Sequence, residues 1–196
     1  MKLEPLESSF YYHFYNRGNN KENIFIEEDN YSYFLKLLVK YLLPIANIYS
    51  FCLLPNHFHL IIRIKEDTFL PEKIKKGKTA IHQPFSNLFN AYTKAFNKKY
   101  NRTGSLFQKH PKRILIKNEI YLRNLIIYVN TNPTHHKVAN FSEYKFSSYQ
   151  ALISSKPTLL NRNEVIKLFE NLENFKYVHK SKKKHLDLIR DLVIED

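Results

Sequence analysis

His57 and His59 stand one residue apart in the run Pro55-Asn56-His57-Phe58-His59-Leu60-Ile61-Ile62. Successive side chains of a strand point to opposite faces, so both imidazoles would share one face. Phe58, Leu60, Ile62 and Ile64 would then enter a core on the other face. Two imidazoles held side by side on a rigid strand are suited to ligate one divalent metal ion. The same pattern also describes a strand end that merely carries two histidines, and the pair alone does not decide between the two.

A second chemical feature lies on a helix expected over residues 118–130. Leu122, Leu125, Ile126 and Val129 form its apolar stripe, and Tyr121, Tyr128 and Asn132 cluster along one flank. Tyr128 and Asn132 would stand one turn apart at the border of the core. A tyrosine hydroxyl, with an ordinary pKa near ~10, is a weak nucleophile. Its attack on a phosphodiester gains from a bound cation and local positive charge. A metal on His57 and His59 would polarise a phosphate oxygen and orient the phosphorus for in-line attack, with Asn132 as a third, oxygen ligand. Magnesium would be unusual beside two imidazoles, whereas manganese accepts mixed nitrogen and oxygen donors. Because the chain has 14 tyrosines, this helix alone does not separate Tyr128 from an ordinary boundary residue.

These side chains need a scaffold. Residues 10–15 read as an aromatic first strand, broken by a turn at Asn16-Arg17-Gly18-Asn19-Asn20. Tyr33, Phe34, Leu37, Leu38 and Tyr41 have helical spacing within residues 28–43, with Asp29 or Asn30 as the cap and Pro44 after the end. Residues 45–54 read as a second strand, and the Pro55-Asn56 turn joins it to the histidine strand as a hairpin. Residues 65–79 form a polar, basic loop. Phe85, Leu88, Phe89, Tyr92 and Phe96 mark a helix over residues 84–97. Residues 105–116, interrupted by Pro111, suit a broken edge strand. Asn118 caps the tyrosine helix, and Pro133 places its end nearby. A further helix is expected over residues 164–172, and Lys180, Lys182, Lys183 and Lys184 precede a short terminal amphipathic segment. This order gives an α+β domain with a mainly antiparallel sheet, related in layout to ferredoxin-like folds, plus a C-terminal helical tail.

Bulk properties narrow the partners. The formal net charge of +13 favours an anionic partner, most simply nucleic acid, and the 15% aromatic content offers surfaces on which bases stack. The single cysteine, Cys52, sits in an apolar run, reads as a small core residue and fits a reducing, cytoplasmic setting. Residues 1–10 lack the apolar core of a signal peptide, and no segment approaches the ~18 apolar residues of a membrane span.

Taken together, these pieces resemble the HUH single-tyrosine transposases. Leu54-Pro55-Asn56-His57-Phe58-His59-Leu60 resembles their His-hydrophobic-His motif. Ile127-Tyr128-Val129-Asn130-Thr131-Asn132-Pro133 resembles the tyrosine segment of the subgroup associated with repetitive extragenic palindromes. Asn16-Arg17-Gly18, Gly104-Ser105-Leu106-Phe107-Gln108 and Ser147-Ser148-Tyr149 are further similar stretches. The resemblance implies a ferredoxin-like HUH-type catalytic domain over residues 8–150, followed by a C-terminal helical appendage over 151–196. It implies His57 and His59 as metal ligands for Mg or Mn, and Tyr128 as the nucleophile that cuts single-stranded DNA. That cut leaves a 5′-phosphotyrosine and a free 3′-hydroxyl. Asn132 stands where insertion-sequence relatives place a metal-binding glutamine one methylene longer. The implied partners are DNA hairpins formed by imperfect palindromes, engaged by a monomer or a homodimer. Arg17, Lys98, Lys99, Arg102, Lys112 and Arg113 are the candidate phosphate contacts. Phe107 in place of a frequent tryptophan, Lys109-His110-Pro111-Lys112 in place of Gly-Arg-Phe, and Thr134-His135-His136 in place of Val-Arg-Ala depart from the pattern. His135 and His136 are expected at the surface of the helix end.

Three rivals share parts of this pattern. A hairpin-binding protein without catalysis needs the charge and the aromatics, but not the histidines and tyrosine together. A His-x-His metallohydrolase commonly needs further His or carboxylate ligands, and no acidic residue has suggestive spacing near the motif. A replication initiator or relaxase uses the same chemistry, often with a helicase domain or several tyrosines.

Overall fold

Period-two alternation of apolar residues builds a four-stranded antiparallel sheet with a helical layer on each face. The computed structural model describes residues 4–181. The strands are β1 (Tyr11–Arg17), β2 (Ala46–Leu54), β3 (His57–Ile64) and β4 (Lys112–Ile116), in the order β2-β3-β1-β4. All three pairings are antiparallel. The helices are α1 (Glu28–Tyr41), the single turn α2 (Glu72–Lys75), α3 (Gln83–Lys99), α4 (Glu119–His135), α5 (Tyr149–Ile153), α6 (Arg162–Leu168) and α7 (Leu172–Lys180). Strand order and the alternation with α1 and α3 are those of a ferredoxin-like sheet, as the sequence leads one to expect. Among the described residues no helix is long and apolar enough to cross a membrane.

One face of the sheet carries Tyr12, Phe14, Leu53, Phe58, Leu60, Ile62 and Ile64, which pack with Phe34, Leu38, Leu88 and Tyr92 of α1 and α3. Burying each such side chain contributes about 1.5–3 kcal/mol. The opposite face carries Tyr49, Cys52, Leu54 and Ile61, covered by Leu122, Leu125, Ile126 and Val129 of α4. Val165 of α6, Phe169 and Phe175 of α7 complete that second core. A register shift between Ile48 and Ser50 forms a β-bulge, which lets Tyr49 and Ser50 both serve this second layer.

Several elements differ from their expected bounds. β1 continues through Asn16 and Arg17, which were expected to turn, because Arg17 still pairs with His57. The turn comes at Gly18, which bridges to Phe107. A Cβ at Gly18 would lie 2.1 Å from the Glu22 carbonyl oxygen, so only glycine allows this close approach. Gln108 N–H donates to Arg17 and Asn19 N–H to Leu106, so two of the sequence motifs are halves of one backbone crossing. Glu27, rather than Asp29 or Asn30, caps α1, with the Asn30 side chain reaching back to the Glu27 amide. α4 runs on past Asn130 to His135 with Pro133 inside it. Proline removes a single N–H, and the ladder resumes when His136 N–H donates to Asn132 at 3.0 Å. The helix expected over 164–172 is two helices, broken where Glu170 takes φ 68° and Asn171 caps α7. Most of the lysine run, Lys182 to Lys184, lies outside the described residues.

A buried polar network sets the position of α4. Asn130, fully buried, accepts from Ser148 Oγ at 2.6 Å and from Ser50 Oγ at 3.3 Å. Its Nδ2 donates to Nε2 of buried His179 at 3.1 Å, while His179 Nδ1 donates to the Phe175 carbonyl at 2.7 Å. Ser148 also receives the Phe51 amide at 3.0 Å. One side chain thereby ties α4 to β2, to the start of α5 and to α7. Asn130→Leu keeps the branched shape and heavy-atom count but deletes these bonds, and is expected to cost about 2–4 kcal/mol. In urea unfolding the midpoint should fall with an unchanged slope; a midpoint equal to the unsubstituted chain's would refute the anchoring role.

Candidate metal and tyrosine site

The alternation that buries Phe58 and Leu60 places His57 and His59 on the α4 face of β3. β1 lies alongside, and the same alternation adds His13, Tyr15 and Arg17 to that face. His59 is 2% exposed and its ring centroid stands 5.2 Å from that of half-buried His57, with the planes at 90°.

α4 crosses above this pair. Tyr128 lies 5.6 Å from His59, ring to ring, in an edge-on contact. His136 lies 4.6 Å from His57. Tyr128, Asn132 and His136 are spaced four residues apart and so form one stripe of the helix. Asn132 is therefore the residue between the two contact points. It is fully buried, and neither its amide oxygen nor its amide nitrogen has a hydrogen-bond partner among the described residues. A buried primary amide left in that state costs about 1–3 kcal/mol unless something else binds it.

The histidines are held by their Nδ1 atoms. Asn56 Oδ1 lies 2.6 Å from His57 Nδ1, so that nitrogen carries the proton and the lone pair sits on Nε2. His13 Nε2 lies 2.9 Å from His59 Nδ1. Burial pushes His59 well below the ordinary histidine range, and the neighbouring His13, His57 and His136 act in the same direction. His59 is thus the neutral imidazole that metal binding requires. Among the described residues no group of three or more His, Cys, Asp or Glu is arranged as a metal cage. Among the described residues, the two imidazoles and the buried Asn132 amide would suit a cation that keeps open positions for water or a phosphate.

The surroundings are basic and aromatic. Lys112 Nζ stands 5.9 Å from the Tyr15 ring, which itself stacks on His13 and His59. Thr131 Oγ1 shares a 2.9 Å hydrogen bond with His135 Nε2, and His135 stacks near Tyr128 with centroids 6.2 Å apart. None of these side chains is acidic. Tyr128 is 4% exposed, while His136 forms the exposed rim. Tyr121, two turns earlier on α4, has its hydroxyl pushed up to about 12 by burial, with Tyr15 acting the same way.

The expected site residues fall into separate places. His57, His59, Tyr128 and Asn132 are brought together. Arg17 and Lys112 share their sheet face. Arg113 points to the other face, where its Nε donates to the Glu4 carbonyl. Lys99 pairs with Glu27 at 2.5 Å and Asp29 at 3.7 Å, and Arg102 with Glu22 at 2.6 Å, in the α1–α3 layer. Lys98 is exposed at the end of α3. His135 and His136 sit at the helix end as expected, but both lean into the site rather than only into solvent. Sequence reasoning passed over His13, although Tyr11, His13, Tyr15 and Arg17 alternate in the same way as the histidine pair.

No family model matches this chain, and no curated protein matches it. Among solved structures, the chain is similar to a REP-associated tyrosine transposase bound to a REP hairpin, with a TM-score of 0.58 at 16% sequence identity. The match covers 80% of this chain and 88% of that one. At this identity the likeness is one of fold: an α+β architecture with a four-stranded antiparallel sheet.

Proposed function

We propose that this chain is a metal-dependent enzyme that cuts and rejoins single-stranded DNA beside hairpins, with Tyr128 as the nucleophile. The observation that carries this reading is the contact of Tyr128 with His59, beside a buried Asn132 amide that has no hydrogen-bond partner among the described residues. The fold neighbour's hairpin and the net charge of +13 support DNA hairpins as the substrate.

His57, His59 and Asn132 would hold the metal. When bound, a divalent ion supplies Lewis-acid polarisation of a phosphate oxygen and fixes its orientation. The chain's residues do the rest. The Tyr128 oxygen attacks the phosphorus, an oxygen–phosphorus bond to the tyrosine forms, and the bond to the 3′ oxygen breaks. The phenolic proton is lost and the departing 3′ oxygen gains one, giving a 5′-phosphotyrosine and a 3′-hydroxyl. Rejoining is the same step reversed, so no external energy source is needed. Arg17 and Lys112, on the same sheet face, would hold neighbouring phosphates. The stripe on α4 gives Tyr128 a fixed attack direction, because its backbone is pinned through Asn130.

Four outcomes test this. A labelled single-stranded hairpin incubated with Mn²⁺ should yield a covalent adduct on a denaturing gel. Tyr128→Phe should lower its formation by about 10³-fold or more, while hairpin affinity measured by gel shift changes little. Persistence of the adduct in the phenylalanine variant would rule Tyr128 out, and absence of any adduct with the unsubstituted chain would favour a hairpin-binding protein without catalysis. Removal of metal with a chelator should stop cutting, and re-added Mn²⁺ should restore it. His57→Ala should reduce the metal-supported rate by about 10²-fold or more; a rate like that of the unsubstituted chain would exclude His57 as a ligand.

A further inference from the structure

We infer that His13 is a positioning residue of the metal centre: its Nε2 accepts the Nδ1 proton of His59 and thereby keeps the His59 lone pair on Nε2, the ligating atom. The inference rests on the metal-centre reading above and concerns a residue 46 positions away from its partner.

Metal-bound imidazoles depend on the group bonded to their other nitrogen, which fixes both tautomer and ring orientation. For His57 that group is sequence-local, the Asn56 amide oxygen at 2.6 Å. For His59 the equivalent contact comes from β1. His13 pairs across the sheet with Ile61, and Tyr15 with His59, so His13 is the diagonal neighbour of His59. Its Nε2 reaches His59 Nδ1 at 2.9 Å. His13 is 1% exposed, and burying an imidazole there without a partner would be costly. The rings of Tyr15, His13 and His59 stack, with centroid separations of 4.7, 5.1 and 5.5 Å and planes within 24° of each other. That stack restricts rotation of the His59 ring about its χ2 angle. Both histidines of the motif are then held through the same ring nitrogen, with the same one presented for ligation. His13 is not itself a third histidine ligand, because the described residues hold no metal-binding group of three such side chains.

A neutral imidazole in this role has a consequence. The commoner partner of a ligating histidine is a carboxylate or a backbone carbonyl. An imidazole acceptor orients His59 without adding negative charge, so the site keeps its full attraction for phosphate. His13 in turn carries its own proton on Nδ1.

The test uses the full chain and Mn²⁺ alone, followed by calorimetry and by the electron paramagnetic resonance of the free ion. His13→Leu should weaken Mn²⁺ binding about 10- to 100-fold. His13→Gln, whose amide oxygen can accept the same proton, should recover most of that loss. In the metal-free chain, long-range proton–nitrogen NMR of His59 should show the Nδ1–H tautomer. Unchanged Mn²⁺ affinity in the leucine variant overturns the inference, as does a folded glutamine variant no tighter than leucine. So does an Nε2–H tautomer at His59 in the unsubstituted chain, a result that stands even if the leucine variant does not fold. Failure of the unsubstituted chain to take up Mn²⁺ would instead refute the metal-centre reading, and the tautomer would still decide the role of His13.

Discussion

α4 must lie across the histidine face of β3 for this protein to have a site at all. Tyr128 meets His59, His136 meets His57, and Asn132 is buried between those two contacts. The stripe repeats every four residues on the helix and the pair repeats every two on the strand, so a rotation of α4 by one residue, about 100°, would remove all three side chains from the pair. The apolar residues Leu122, Leu125, Ile126 and Val129 set that rotation coarsely. The Asn130 bonds to Ser50, Ser148 and His179 set it finely, because hydrogen bonds have direction where apolar contact does not. The amides and hydroxyls of the second core thus orient the stripe that carries Tyr128 and Asn132, each two residues from Asn130.

The two faces of the sheet divide the work. The α1–α3 face is an aromatic core in which Phe14, Phe58, Phe89, Tyr92 and Phe107 touch one another. The α4 face mixes aromatic and imidazole rings around Tyr128. In the α1–α3 layer Lys99 and Arg102 pair with Glu27, Asp29 and Glu22, while Lys98 on α3 is exposed. Arg17 and Lys112 lie with the histidines.

Much of this was legible in the residues because two simple periods carry it. Alternation about Phe58 put His57 and His59 on one face, and four-residue spacing put Asn132 one turn from Tyr128. What was not legible depends on register between distant strands. His13 looks like one more ring in an aromatic strand until β1 is laid beside β3, and nothing local encodes that pairing. The roles of Asn130 and Ser148 were hidden for the same reason, since their partners come from β2 and α7. The break between α6 and α7 rests on a positive φ at Glu170, a residue type that gives no such signal. Pro133 misled in the opposite direction: a proline usually marks a helix end, but α4 loses only one bond there and continues for two more residues. The likeness in fold to a solved structure at 16% identity agrees with the layout of sheet and helices expected from the residues.

Diffraction from crystals soaked in Mn²⁺, recorded where manganese scatters anomalously, addresses the central claim most directly. The expected result is a single strong anomalous peak ligated by His57, His59 and the amide oxygen of Asn132, with the Tyr128 hydroxyl on the same side of the ion. A peak held by other residues, or manganese at this face with Asn132 and Tyr128 turned away from it, would contradict the assignment.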